Sequence, residues 1–258
     1  MDAIDGVLLD IDGVLTLSWE PLPGAIPAVE WLRAEGIPFR LITNTTTHTR
    51  TDLARTLCDA GVLVEPREIV TAVVATGSYL RAHHAGARVF LLSDGDAAED
   101  LEGVRLVGDA PDVVVLGGAC DDFTYEAMNR IFGMLMDGAT LVGMHRNLYW
   151  RTNEGFQLDA GAYIAGLEEA TGRKALICGK PSGVYFEEAL RMLGTTAERT
   201  AMVGDDIVND VLGAQAVGIT GVLVKTGKFL PGDLEKGEPD RVVSSVAELP
   251  SLLRPAAV

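Results

Sequence analysis

The stretch "GVLLDIDGVLTL", residues 6–17, places two carboxylates, Asp10 and Asp12, at the end of an apolar run. Taken alone, Asp12-Gly13 between apolar segments is a two-residue hairpin signal. The competing reading is a buried strand that stops at an acidic pair. The rest of the chain decides between them. Short apolar runs alternate with helical-period segments almost throughout, and that alternation is the mark of parallel strands joined by helices.

After the opening run comes "AIPAVEWLRAEG", with Ile26, Val29, Leu32 and Arg33 at helical spacing and Gly36 as a C-terminal stop. "IPFRLITN" reads as a strand and "TRTDLARTLCDAG" as a helix closed by glycine. Strands are expected at "ARVFLLS", "PDVVVLGG", "ATLVGM", "KALIC", "TAMVG" and "ITGVLVK". Between them fall the helices "TYEAMNRIFGMLMDG", "YIAGLEEATG", "GVYFEEALRMLG" and "DIVNDVLGAQAVG", with a short terminal helix near "SVAELPSLL". The fold class is α/β with mostly parallel strands and right-handed crossovers. The loops near Glu65–Arg67 and Arg173–Pro181 are the candidate domain boundaries; if they are, the middle third is an insertion into one sheet domain.

The 258 residues suffice for one large domain or two smaller ones, and nearly half of them are apolar. A net charge of −16 argues against a nucleic-acid partner, which needs clustered Lys and Arg. An anionic substrate would need local positive charge set against that field. Cys58, Cys120 and Cys178 are odd in number and widely spaced, as reduced thiols would be, and the four histidines lack zinc spacing. The acidic start "MDAIDG" is unlike a secretory signal, and no apolar run approaches the ~20 residues of a membrane helix. A cytoplasmic setting without membrane contact is the expectation.

Open α/β sheets bind ligands at the carboxyl ends of their strands. Those ends carry Asp10 and Asp12, then Thr43 and Asn44, then Gly179, Lys180 and Pro181, and finally Asp205 and Asp206 with Asn209 and Asp210 just beyond. Asp10 and Asp12, two apart, begin on one face of an extended segment. Like charges that close need a cation between them. Hard oxygen ligands in this number suit Mg²⁺ rather than zinc. Lys180 and the Thr43 hydroxyl supply the donors that a phosphoryl transition state requires. Each residue also has a structural reading: a turn at Asp12-Gly13, a helix cap at Thr43-Asn44, a loop at Lys180-Pro181, a dipole partner at Asp205-Asp206. Four strand ends with the same chemistry would make those readings a coincidence. No P-loop, no G-x-G-x-x-G after a strand and no G-x-S-x-G elbow occurs.

These residues resemble the haloacid dehalogenase superfamily of aspartyl phosphatases. Its D-x-D-G-[TV]-L motif is similar to "LLDIDGVL", its second-motif Thr to Thr43 in "LITN", its Lys to "GKP", and its G-D-x-x-x-x-D to "VGDDIVND". "TNT", "DAGAYIAGLEEATGRKALICGKPS" and "VKTGKF" resemble subfamily IIA. Its NagD-like and nitrophenyl-phosphatase-like enzymes, and the hydrolases like phospholysine phosphohistidine inorganic pyrophosphate phosphatase, are the nearest in kind. The resemblance implies a Rossmann-like core at 1–70 and 178–258 with an α/β cap inserted at 71–177. It implies Asp10 as nucleophile and Asp12 as general acid and base. Mg²⁺ would be held by Asp10, the Asp12 backbone carbonyl, Asp205 and, through water, Asp210. Thr43, Asn44 and Lys180 would grip the phosphoryl group; Asp206 receives no role. Substrate choice falls to the cap, with His145, Asn147, Arg151 and Asp159 as candidates against a solvated loop with a packed aromatic pair. A small phosphorylated substrate is expected, and relatives often pair through the cap, so a homodimer is carried as an expectation. Two rivals stand at this level: a metal-independent dehalogenase and a non-catalytic Mg²⁺-binding relative.

Overall fold

Val7, Leu8 and Leu9 have no solvent exposure at all, which a two-residue hairpin at Asp12-Gly13 could not achieve on both faces. Gly6–Asp10 is a central strand, paired in parallel on both sides. The computed structural model describes residues 4–152 and 155–253. They form two units: one of the described residues within 4–43, 50–70 and 180–253, the other of those within 44–49, 71–152 and 155–179.

The first unit holds a six-stranded sheet in the order Arg241–Val243, Thr220–Val224, Thr200–Gly204, Gly6–Asp10, Phe39–Thr43, Ile69–Thr71. The chain builds outward to one side of Gly6–Asp10, then returns to build on the other. The order therefore reverses between Gly6–Asp10 and Thr200–Gly204, where doubly wound sheets open a crevice for ligands. Leu9 pairs with Val203, so Asp10 and the residues after Gly204 end at the same level. Val7, Leu9, Leu41, Val203 and Val222 pack with Leu32, Leu53 and Leu57 into one core. The helix Ala25–Ala34 contributes Ala25, Ala28, Val29 and Leu32, the one-sided stripe of an amphipathic helix. Leu8, one residue out of phase, belongs to the opposite face.

The second unit has a five-stranded sheet in the order Leu176–Ile177, Thr140–Gly143, Val113–Leu116, Arg88–Leu92, Arg105–Leu106, parallel throughout. The helices Tyr125–Met136 and Ala160–Thr171 supply Ile131, Leu135, Ala160, Ile164 and Leu167 to a core with Val114, Leu116 and Leu141. Thr71, Thr124 and Asp159 cap the helices that follow them, each accepting a backbone N–H. An antiparallel hairpin, Tyr149–Thr152 with Gly155–Leu158, lies where sequence suggested a loop.

Other points differ from the sequence reading. "KALIC" condenses to the two-residue strand Leu176–Ile177, and it lies in the second unit's sheet. Lys180 thus does not leave a strand of the sheet that ends in Asp10. "DIVNDVLGAQAVG" is a π-helical turn, Ile207–Leu212, continued by one α-turn, Gly213–Gln215. The edge strands Ile69–Thr71 and Arg241–Val243, three residues each, were too short for a periodic signal.

Candidate active site

At the reversal of strand order Asp10 is the last residue of its strand, and its side chain is buried. Asp205 follows the neighbouring strand directly, with no exposed surface. Asp210 turns back from the π-helical turn onto the same point, because Gly204 has no side chain there; a Cβ on it would collide with Asp210. One carboxylate oxygen each from Asp10, Asp205 and Asp210 lies within 4.8 Å of the others. The Lys180 ammonium sits between two of them, donating to Asp10 Oδ1 and to Asp210 Oδ1, both at 2.6 Å.

Three buried carboxylates face the buried Lys180 ammonium, with the more exposed Lys228 ammonium acting on them from further out. Burial pushes the Asp10 carboxyl up, while Lys180 pulls against it. Asp205 is raised to about 6 by burial, opposed by a hydrogen bond from the Lys228 backbone. Asp210 is also raised to about 6 by burial, opposed by Lys180. Burial works against the Lys180 ammonium, yet Asp10 and Asp210 outweigh it and hold it protonated.

Asp205 shows what the excess negative charge is suited to. Its Oδ2 accepts from the Lys228 N–H at 2.6 Å, whereas its buried Oδ1 has no hydrogen-bond partner among the described residues. A buried carboxylate oxygen without a donor is costly unless a cation meets it. An all-oxygen set of three carboxylates fits a hard divalent ion of the Mg²⁺ type.

Asp12 lies past the strand, exposed, beside Gly13 at φ +93°. Its exposed carboxylate is outside the three-aspartate group. Thr226 Oγ1 donates to Gly13 O at 2.5 Å, which ties this turn to the loop carrying Lys228. Asp206 acts locally: it accepts from the Val208 and Asn209 N–H groups and from Asn209 Nδ2, capping the π-helical turn. Thr43 ends its strand, buried, and its N–H donates to the Tyr185 hydroxyl at 3.0 Å.

The remaining sequence candidates fall in the second unit. Asn44 lies there with its side chain beside Gly179. His145 is buried, its Nε2 3.6 Å from Asp159 Oδ1, and burial pulls its pKa down against that carboxylate. The Asn147 carbonyl accepts from Gly161 N–H. Arg151 belongs to the strand Tyr149–Thr152, and its side chain lies outside the described residues. Sequence reasoning passed over Tyr185, Thr226, Gly227 and Lys228. "TGK" stood in view as part of a resemblance, without a signal that it reaches Asp205.

Comparison with known proteins gives the family. Residues 7–106 match the family model of haloacid dehalogenase-like hydrolases, and residues 177–249 a second one for HAD-like hydrolases. Over 237 residues the chain is 38% identical to human haloacid dehalogenase-like hydrolase domain-containing protein 2, covering 92% of this chain and 90% of that one. The chain belongs to the haloacid dehalogenase-like hydrolases, and it is a phosphatase of the NagD-like kind. Rat phospholysine phosphohistidine inorganic pyrophosphate phosphatase is 34% identical over 261 residues, 98% of this chain and 95% of the relative. The structure of NagD from E. coli K-12 superposes with a TM-score of 0.87 at 30% identity, covering 95% of this chain and 98% of that one. No described helix is long and apolar enough to cross a membrane.

Proposed function

We propose that this phosphatase hydrolyses a small phosphorylated compound with Mg²⁺ through a phosphoryl group carried transiently on Asp10. The observation that carries the reading is the buried group of Asp10, Asp205 and Asp210, with Lys180 paired to two of them and Asp205 Oδ1 without a hydrogen-bond partner among the described residues. Asp10, the Asp12 carbonyl and Asp205 would hold Mg²⁺, with Asp210 linked through water; when bound, such an ion would offset the site's negative charge and that of the phosphoryl oxygens.

Lys180 occupies Asp10 Oδ1, which leaves Oδ2 to attack phosphorus. As that bond forms, the bond to the leaving-group oxygen breaks, and Asp12 gives its proton to the departing oxygen. Asp12, now a carboxylate, takes a proton from water as the water oxygen attacks phosphorus. The Asp10–phosphorus bond breaks and inorganic phosphate leaves. Burial suits Asp10 to nucleophilic attack free of a hydration shell.

Thr43, Asn44 and Lys180 would grip the phosphoryl oxygens, with Lys180 also fixing the nucleophile. The second unit is assigned the role of cap and of substrate choice, with Arg151 as the candidate for an anionic substrate group. A cytoplasmic homodimer paired through that unit belongs to the same reading. A panel of phosphate esters, p-nitrophenyl phosphate and pyrophosphate included, assayed with Mg²⁺ and with a chelator, tests it. Turnover that needs Mg²⁺ and falls at least about a thousandfold in Asp10→Asn is expected, since removal of a covalent nucleophile costs on this order. Undiminished hydrolysis by that variant overturns the reading, and so does a wild type silent on every phosphate ester.

A further inference from the structure

Tyr185 is a fully buried tyrosine whose hydroxyl the chemistry above does not use. It lies in the first turn of the helix Gly183–Leu193, five residues after Lys180, with its ring edge-on to Phe186. Its hydroxyl reaches the ends of two neighbouring strands at once. It accepts the Thr43 N–H at 3.0 Å, and lies 2.7 Å from Val70 O and 3.1 Å from Thr43 O. A phenol has one proton, so the shorter contact to Val70 O takes it. Burial raises the pKa of this hydroxyl, so it keeps that proton.

The two residues it joins have a special place in the chain. Thr43 and Val70 are the last residues of the first unit before the chain passes to the second, and Lys180 is the first residue on its return. A buried polar group at such a junction has a choice of partners only if the site is loose. Here one oxygen satisfies a donor and an acceptor on separate strands, from a helix that begins at the Lys180 segment. Loosening at Thr43 would be felt directly by the hydroxyl that is proposed to hold the phosphoryl group.

We propose that the Tyr185 hydroxyl is a positioning group that pins the Thr43 strand end to Val70, and so presets Thr43 for phosphate. The consequence for phosphate rests on the function proposed above; the pinning itself does not. Tyr185→Phe removes the oxygen and keeps the ring in its pocket, so the core is retained.

Amide hydrogen exchange of the full chain reads the pin without any activity. In Tyr185→Phe the Thr43 amide should exchange at least about tenfold faster, while the Leu41 and Val203 amides, inside the sheet, keep their rates. In steady-state assays the KM for p-nitrophenyl phosphate and the inhibition constant of inorganic phosphate should both rise roughly five-fold, the scale of one neutral hydrogen bond, with kcat changed less than two-fold. In a Thr43→Val background the same substitution should add nothing to KM, because the effect passes through Thr43. An unchanged Thr43 amide overturns the proposal, as does uniform acceleration across the sheet, which marks general destabilisation. A faster Thr43 amide with unmoved KM and phosphate inhibition overturns the presetting. A wild type inactive on all phosphate esters sinks the proposed function instead, and the exchange result then decides Tyr185 by itself.

Discussion

Lys180 stands between two carboxylates that water would otherwise separate, and its removal exposes their repulsion. In Lys180→Met, Asp10 and Asp210 face each other buried and unpaired, which costs about 3–5 kcal/mol at neutral pH. Protonation of either carboxylate relieves the clash, so the deficit should shrink near pH 5; urea unfolding at both pH values measures it. An equal deficit at both would mean the ammonium is not what separates them. Asp205 carries a related prediction. Its native carboxyl titrates at about 6 against an ordinary 3.8, raised first by burial. Between those values the folded state binds more protons than the unfolded one, so the metal-free protein loses stability as pH rises through that window. Asp210, also near 6, adds in the same direction. A divalent cation offsets the cost only where the carboxylates are charged. The thermal midpoint should therefore rise more on adding Mg²⁺ at pH 7.5 than at pH 5, and equal shifts would contradict this.

The elements around Asp205 explain why it points where it does. The turn at Gly13 and the loop Thr226–Gly227–Lys228 close on it from two sides, joined by the Thr226 hydroxyl. A side chain on Gly13 or Gly227 would run into Asp205 Oδ2, and both glycines have positive φ, +93° and +57°. Gly227→Ala should push Asp205 off its position and weaken Mg²⁺ binding by about 10–100-fold, as loss of a ligand's supporting contacts does. Titration calorimetry of Mg²⁺ against the variant gives the result, and unchanged affinity would show that the loop does not orient the ligand. The strand Gly6–Asp10 was readable in advance because a run buried on both faces has to be continuously apolar. The turn Ile207–Leu212 was readable as helical, although its π character was not. Asp206 drew no catalytic assignment from the motif; its structural reading at the helix start fits the cap it forms on the N–H groups of Val208 and Asn209.

For the whole molecule, a chain of net charge −16 that acts on an anionic ester works against its own field. Raising salt from about 10 mM to about 150 mM, where the Debye length falls to about 8 Å, should raise kcat/KM for a dianionic ester about two- to three-fold at saturating Mg²⁺. A steady decline over that range would mean that the site's own cations, Lys180 foremost, dominate the approach. The α/β class, the acidic strand ends and the family were legible in the sequence, because periodicity and motif residues are recorded by near neighbours. That Lys180 belongs with Asp10 was also legible, but the route by which it gets there was not. It lies 170 residues from Asp10 and arrives from an edge strand of the other sheet. Which sheet a two-residue strand joins depends on packing between distant segments, with no local pattern to announce it. The same holds for Tyr185 at Thr43 and for Lys228 at Asp205. Sequence by itself determined which chemical groups this phosphatase has at its strand ends. Tertiary structure alone decided which of their oxygens are paired and which one is left open, since burial and hydrogen bonding are properties of the packed chain.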